Sequence, residues 1–294
     1  MSGHSHSCAH SHYGRIFAIG IALNLAYVIA QVVFGIYSHS LALVADAGHN
    51  LGDVLGLVLA WGASYLATRP ATPNRTYGWR RTSIMAALAN SIFLLVAVGA
   101  ITWEALRRLR RGDVIDPNIV VWVAAGGVVL NGITALLFMS GQKEDLNIRA
   151  AFLHMAADAA VSAGVVLAAL GIKWTGSYWL DPVTSLVINA IIVVSTWGLL
   201  RESFNLVTDA VPRQVDSAAV RNYLTQLPRV EAVHDLHIWA MSTTEVALTA
   251  HLVMPAEAAG DSFLHDVCDH LHHEFGIEHS TLQIEQNAES CALA

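Results

Sequence analysis

Residues 41–67 read LALVADAGHNLGDVLGLVLAWGASYLA, an apolar run interrupted only by Asp46, His49 and Asp53 among acidic, basic and imidazole side chains. A helix needs about 20 residues to cross the hydrocarbon layer of a bilayer, and this stretch is long enough. Comparable runs lie at roughly 16–37, 83–106, 118–140, 150–171 and 183–200. The expectation is therefore an α-helical membrane domain of six transmembrane helices. Composition points the same way: the 294 residues are 54% hydrophobic and only 13% charged, about half the charged fraction of an ordinary soluble domain. Buried helices of a large soluble protein are the competing reading, and the clustering of the apolar residues into span-length runs argues against it.

Other classes fall away quickly. The net charge of −7 leaves no basic patch for a nucleic-acid partner. Cys8, Cys268 and Cys291 have no regular spacing, so no disulfide framework is expected. The opening segment is polar and His-rich, without the basic n-region of a signal peptide.

An even number of spans puts both termini on one side. With cytoplasmic termini, the inner basic residues are Arg15, Arg69, Arg75, Arg80, Arg81, Lys143, Arg149 and Arg201; the outer ones are Arg107, Arg108, Arg110, Arg111 and Lys173. That excess favours cytoplasmic N- and C-termini, with the Arg107–Arg111 cluster standing against the rule.

The chain divides into a His-rich mobile segment (1–14), a six-span membrane domain (15–206), a small soluble domain (207–288) and a tail (289–294). The soluble part reads as helix, strand, strand, helix, strand. Asp216 is the expected N-cap of a helix whose face carries Val220, Tyr223, Leu224 and Leu227. Strands follow near 233–240 and 245–253. Asp261 or Ser262 would cap the next helix, with Leu264, Val267, Cys268, Leu271 and Phe275 as its stripe, before a strand at 280–285. Two helices on one face of a three-stranded sheet make an α+β unit. At about 80 residues it is marginal alone, so pairing with a second copy is expected.

Ionisable groups within the spans are few and patterned. His49 and Asp53 lie four residues apart in one run, and His154 and Asp158 repeat that spacing in another. Residues at i and i+4 project from one helical face, so facing helices would offer two imidazoles and two carboxylates. Such a set suits tetrahedral Zn²⁺; Co²⁺, Ni²⁺ or Fe²⁺ also accept it, while the lack of thiolate argues against Cu⁺. A His–Asp pair can also be a packing hydrogen bond, but the repeat of the spacing favours a metal site. Asp46, a turn before His49, is placed near the outer mouth, either as an exit-path carboxylate or, the favoured reading, as an interfacial acid. Asn24, Gln31, Asn90 and Asn131 are expected to hydrogen-bond between helices. Ala47, Gly48, Gly52 and Gly56, and Ala156, Ala157, Ala159 and Ala160, would permit close helix approach.

Histidines also concentrate outside the spans. His4, His6, Cys8, His10 and His12 form a tract that can capture metal loosely. In the C-terminal domain His234 and His237 flank the first strand, and strand alternation lets His251 and Glu285 meet on the face away from the helices. Metal ligands and plain surface histidines both fit that pattern. His265, His270, His272 and His273 lie along a helix, mostly as a solvated face.

These residues resemble the cation diffusion facilitator family, bacterial zinc exporters and vesicular zinc transporters above all. The resemblance rests on SLALVADAGHNLGD, TYGWRRTSIMAALAN, LNIRAAFLHMAADAAVSAGVV, DPVTSL, VHDLHIWAMS, LTAHLV and TLQIE, and spans nearly the whole chain. It implies a homodimer with six spans per protomer, a ferredoxin-like cytoplasmic domain and Zn²⁺/H⁺ antiport by alternating access in a bacterial inner (plasma) membrane. His49, Asp53, His154 and Asp158 fall on the family's transport site, with His at 49 matching the zinc-preferring pattern. His234, His251 and Glu285 fall on its cytoplasmic metal site, with His4, His6, Cys8, His10, His12, His237 and His265 as additional donors. The loop ATRPATPNRTYGW departs from members that bind metal there, since it has neither Asp nor His. The expected activity is divalent-cation export, Zn²⁺ first and Co²⁺, Cd²⁺, Ni²⁺ or Fe²⁺ as alternatives, with no cofactor beyond the bound or transported metal. The rivals are an intramembrane metalloenzyme and a membrane metal sensor. The first lacks H-E-x-x-H and an open metal position for water; the second would bind zinc through its tail without moving it.

Overall fold

The computed structural model describes residues 10–139, 146–254 and 260–286. Six long helices come first: α1 (His10–Tyr37), α2 (Leu41–Ala67), α3 (Thr82–Arg111), α4 (Pro117–Met139), α5 (Leu146–Thr175) and α6 (Leu180–Val207). Five stretches within α2 to α6 are long and apolar enough to cross a membrane, and Asn24–Tyr37 of α1 is a shorter apolar stretch. The chain is therefore a multi-pass membrane protein. After α6 come α7 (Ser217–Thr225), β1 (Ala232–Ala240), β2 (Val246–Val253), α8 (Asp261–Phe275) and β3 (His279–Glu285). The chain forms two compact units, one of residues to Val58 with Asn90–Trp197, the other of Leu59–Ala89 with the residues from Gly198 onward.

In the first unit, Leu43, Val98, Val120, Val165, Ile172 and Ile192 lie in one buried cluster contributed by α2 to α6. Among lipid tails, such a cluster gains from dispersion and close fit rather than from escape from water. Small residues set how near α2 comes to α3. A Cβ on Gly52 would stand 2.2 Å from Leu94 Cδ2, and one on Gly56 would stand 3.2 Å from Asn90 Nδ2. Both glycines flank Asp53, so the approach bears directly on the ionisable pair of α2.

Helix ends are tied together by polar groups. Ser40 Oγ accepts from Leu43 N at 3.2 Å, as an N-cap does. The buried Asp181 carboxylate, at the start of α6, accepts from Ser40 Oγ (2.5 Å), Leu41 N (2.7 Å) and Ala42 N (3.3 Å). The helix dipole adds to this, since an anion is favoured at an N-terminus. DPVTSL thus supplies an anchor for the first turn of α2. Arg108 reaches from α3 to His39 O at 2.5 Å and pairs with Glu104 (3.2 Å) and Asp113 (3.5 Å).

In the C-terminal domain the sheet order is β1-β2-β3, with β1 antiparallel to β2 and β2 parallel to β3. The parallel pair requires a crossover, which α8 provides. Val220 and Leu224 of α7 and Val267 and Leu271 of α8 pack with Leu248, Ala250 and Leu252 in one core. Asp216 caps α7, accepting from Ala218 N (2.9 Å) and Ala219 N (3.2 Å). The expected cap of α8 is corrected: Gly260 holds that position and makes no side-chain cap bond. Asp261 is already helical there and favours the first turn through its charge. Phe263, in place of Leu264, packs with the core.

Gly52→Ala is expected to cost about 1–2 kcal/mol, because overpacking exceeds the helix-propensity gain of about 1 kcal/mol. In a Leu94→Ala background the same change becomes neutral or stabilising. Thermal melts of the four proteins in detergent measure that coupling, and additive effects would refute the close contact.

Candidate functional site

The i,i+4 spacing puts His49 and Asp53 one turn apart on α2, and His154 and Asp158 one turn apart on α5; the two pairs converge. His49 Nε2 is 3.0 Å from Asp158 Oδ1 and 4.0 Å from Asp53 Oδ2. His154 Nε2 is 3.5 Å from Asp53 Oδ2 and 3.6 Å from Asp158 Oδ2. Each carboxylate thus lies between both imidazoles, whose ring centroids are 6.3 Å apart at an interplanar angle of 74°. Four-coordinate Zn²⁺ with bonds of about 2.0 Å needs ligand atoms about 3.3 Å apart. One ligand atom each from His49, Asp53 and Asp158 lie within 4.8 Å of one another, close enough to share an ion, while His154 reaches both carboxylates but stands outside that three-residue set.

Exposure is graded across the group: side-chain exposure is 4% at Asp158, 19% at His49, 35% at Asp53 and 45% at His154. The open side faces a cleft of about 330 Å³ whose wall includes Asn24, Asn50, Asn90 and Asn131 as well as Asp53, His154 and Asp158. The expectation of interhelical bonds from Asn90 and Asn131 is corrected. Asn90 Oδ1 and Asn131 Nδ2 are buried without a hydrogen-bond partner among the described residues. Gln31 does make such bonds.

Gln31 leads to the second correction. Asp46 is buried at 1% exposure, packed among helices rather than presented on an open surface. Its Oδ2 accepts from Gln31 Nε2 (2.6 Å) and Ser162 Oγ (3.1 Å), while Gln31 Oε1 accepts from Asn50 Nδ2 (2.9 Å). This network joins α1, α2 and α5 one turn away from the imidazoles. A Cβ on Gly127 of α4 would fall 2.1 Å from Tyr27 Oη and 2.8 Å from Ser162 Oγ, so only glycine lets α4 sit against it. Sequence reasoning missed Ser162 and Tyr27. The signal for Ser162 was present: it follows Asp158 by four residues, extending the same helical face.

A second cluster lies on the sheet of the C-terminal domain. The register pairs His234 with His251, and their ring centroids are 5.1 Å apart. His234 Nε2 lies 2.9 Å from Glu285 Oε2, and Gln283 Nε2 donates to Glu285 Oε1 at 2.8 Å. His251 Nδ1 is 3.0 Å from Glu285 Oε1 but off the line of a hydrogen bond, which leaves that buried nitrogen without one. Burial works against ionisation of Glu285, yet the bonds from His234 and Gln283 and the neighbouring imidazoles outweigh it. They hold its pKa below the usual glutamate value.

Asp235 was missed. A register shift between His234 and His237 marks a β-bulge, and Asp235 within it has φ of 51°. Its carboxylate lies 2.8 Å from His237 Nε2 and 3.5 Å from His251 Nε2. The bond to His237, with further pull from His251 and His234, lowers its pKa. His237 therefore joins the cluster through Asp235 rather than directly. His265 does not join it; it is exposed on α8, whose core residues cover the opposite face of the sheet. His4, His6 and Cys8, and the side chains of His10 and His12, lie outside what the structure describes.

Comparison with known proteins bears on both clusters. The family described as the cation efflux transmembrane domain matches residues 17–206, and the cation efflux protein cytoplasmic domain matches residues 212–287. The chain is 35% identical to the cation efflux system protein CzcD of Alcaligenes sp. (strain CT14), covering 97% of this chain and 90% of that one. It is 34% identical to the zinc transporter ZitB of Escherichia coli K12, covering 96% and 92%. Identity to the cadmium, cobalt and zinc/H(+)-K(+) antiporter of Bacillus subtilis 168 is 30%, covering 97% and 93%. The chain belongs to the cation diffusion facilitator family of metal-cation efflux transporters, and is a transporter rather than an enzyme.

Proposed function

We propose that this protein exports Zn²⁺ from the cytoplasm in exchange for protons, by alternating access, through His49, Asp53, His154 and Asp158. The observation that carries the reading is the convergence of two i,i+4 pairs from α2 and α5, with His49, Asp53 and Asp158 close enough to share an ion and His154 against both carboxylates. Names of relatives for zinc, and for antiport of cadmium, cobalt and zinc, support the cargo and the exchange. Co²⁺, Cd²⁺, Ni²⁺ and Fe²⁺ are the alternative cargoes, since imidazole and carboxylate accept them too. Protons and metal compete because ligation requires neutral imidazole and ionised carboxylate.

The protein works as a homodimer in a bacterial inner membrane, with α1 as the sixth span and both termini cytoplasmic. The Arg107–Arg111 cluster weighs less against that orientation than its count implies. Arg107 and Arg108 pair with Glu104, and Arg108 also holds His39 O. The αββαβ order of the C-terminal domain supports a ferredoxin-like unit lacking its first strand. His234, His251 and Glu285 form its metal site, with Asp235 beside them.

Zinc flux into inverted vesicles tests the transport site. Asp53→Ala and Asp158→Ala are each expected to weaken zinc more than about 100-fold, beyond the 10–100-fold typical of outer-shell partners. Parent-like flux in either would sink the assignment. The C-terminal site has its own test in the Asp53→Ala/Asp158→Ala background. Saturation at about 100 times the dissociation constant stabilises a protein by about 2.7 kcal/mol per site. Zinc should therefore raise the melting temperature there, and Glu285→Ala should abolish the rise; an unchanged rise would place the metal elsewhere.

A further inference from the structure

The segment between α2 and α3 carries Arg69, Arg75, Arg80 and Arg81 with no acidic residue from Thr68 to Arg81. It connects two candidate spans, so it lies at a membrane boundary, where aromatic and basic side chains meet lipid headgroups. Two of the four guanidinium groups are neutralised: Arg80 pairs with Glu245 at 3.0 Å and Arg81 pairs with Asp209. The other two are held by aromatic groups instead. The Arg75 guanidinium carbon sits 3.6 Å over the Trp79 ring centroid, and that of Arg69 lies 5.2 Å over Tyr65, whose hydroxyl accepts from Arg69 at 2.9 Å. Neither Arg69 nor Arg75 has a carboxylate partner among the described residues.

Stacking engages the face of a guanidinium and leaves its N–H edge in the plane, the geometry that grips a phosphate by two parallel bonds. Beside Arg75 is a pocket of about 420 Å³ whose lining includes Arg75, Arg80 and Arg81 together with Met85, Trp239 and Met241. A cationic edge next to an apolar wall fits a molecule that is anionic at one end and greasy at the other. We propose that Arg75, clamped on Trp79 beside this pocket, binds the phosphate of an anionic glycerophospholipid, with the exposed Met85 against its glycerol and upper acyl region, and that Arg69, clamped on Tyr65 in the same loop, adds a second cationic contact. The inner-leaflet charge of cell membranes would enrich such lipids at this boundary. The site is independent of the metal-site assignment.

The test uses the full chain in vesicles of phosphatidylcholine with a minor fraction of phosphatidylglycerol, followed by detergent extraction and native mass spectrometry of retained lipid. Parent protein should retain phosphatidylglycerol in preference to phosphatidylcholine. Arg69→Gln/Arg75→Gln should reduce that retention about tenfold, corresponding to about 1.4 kcal/mol. Arg75→Lys keeps the net charge but lacks the planar fork, so it should also lose retention while remaining folded. Arg110→Gln, at the other end of α3, should retain lipid as the parent does. The proposal is overturned if the double variant or Arg75→Lys retains lipid like the parent, or if Arg110→Gln loses as much. Displacement of the lipid by excess inorganic phosphate would also overturn it, identifying a simple anion site.

Discussion

Two carboxylates set inside a helical bundle must be compensated where they stand, and that requirement organises this protein. Asp158 is almost wholly buried, with His49 at 3.0 Å across the α2–α5 contact. Isolated charge at such depth is strongly unfavourable, so the helices have to bring the imidazoles and carboxylates together. Gly52 and Gly56 allow α3 to lie close against α2. Asp181 fixes the first turn of α2. Gln31 and Ser162 tie α1 and α5 to Asp46 on the same helix. Much of the polar chemistry within the first unit serves to place α2.

What was legible in the sequence follows from what periodicity can express. Apolar runs located the helices to within a few residues at most ends, and the repeated i,i+4 spacing picked out two pairs that do converge. Alternation along β2 and β3 put His251 and Glu285 on one face, as found. Periodicity cannot express depth, so Asp46 was read as interfacial when Gln31 and Ser162 had made a buried seat for it. Nor can it foresee a β-bulge, which needs an extra residue on one strand only. Asp235 turns toward His237 and His251 because of that bulge and would be lost in a regular strand. Arg108 is similar: a count of charges registers it as a vote on orientation, whereas its partners make it a clamp on the α1–α2 turn.

The second cluster differs from the first in a way that bears on its role. Its imidazoles stand on adjacent strands, whose spacing is set by backbone hydrogen bonds and changes little. The pairs in the bundle stand on separate helices, held by side-chain packing and side-chain hydrogen bonds rather than by a backbone ladder. A site on a sheet can bind metal without moving; a site across helices can be assembled or opened by a modest shift.

If the helical site carries the metal as proposed, charge compensation would link that metal to protons there. Two neutral imidazoles and two carboxylates carry two negative charges, which a divalent cation cancels. Were a metal to leave that set, the same volume would hold uncompensated anions close to the buried Asp46. Removing charge from water is costly in a medium of low polarity, so the emptied group is stabilised by taking up protons on the atoms that held the metal. Protonated ligands cannot rebind cation until those protons depart on the other side. On the proposed reading, antiport would need no separate proton channel, because the ligand set itself would hold metal in one direction and protons in the other.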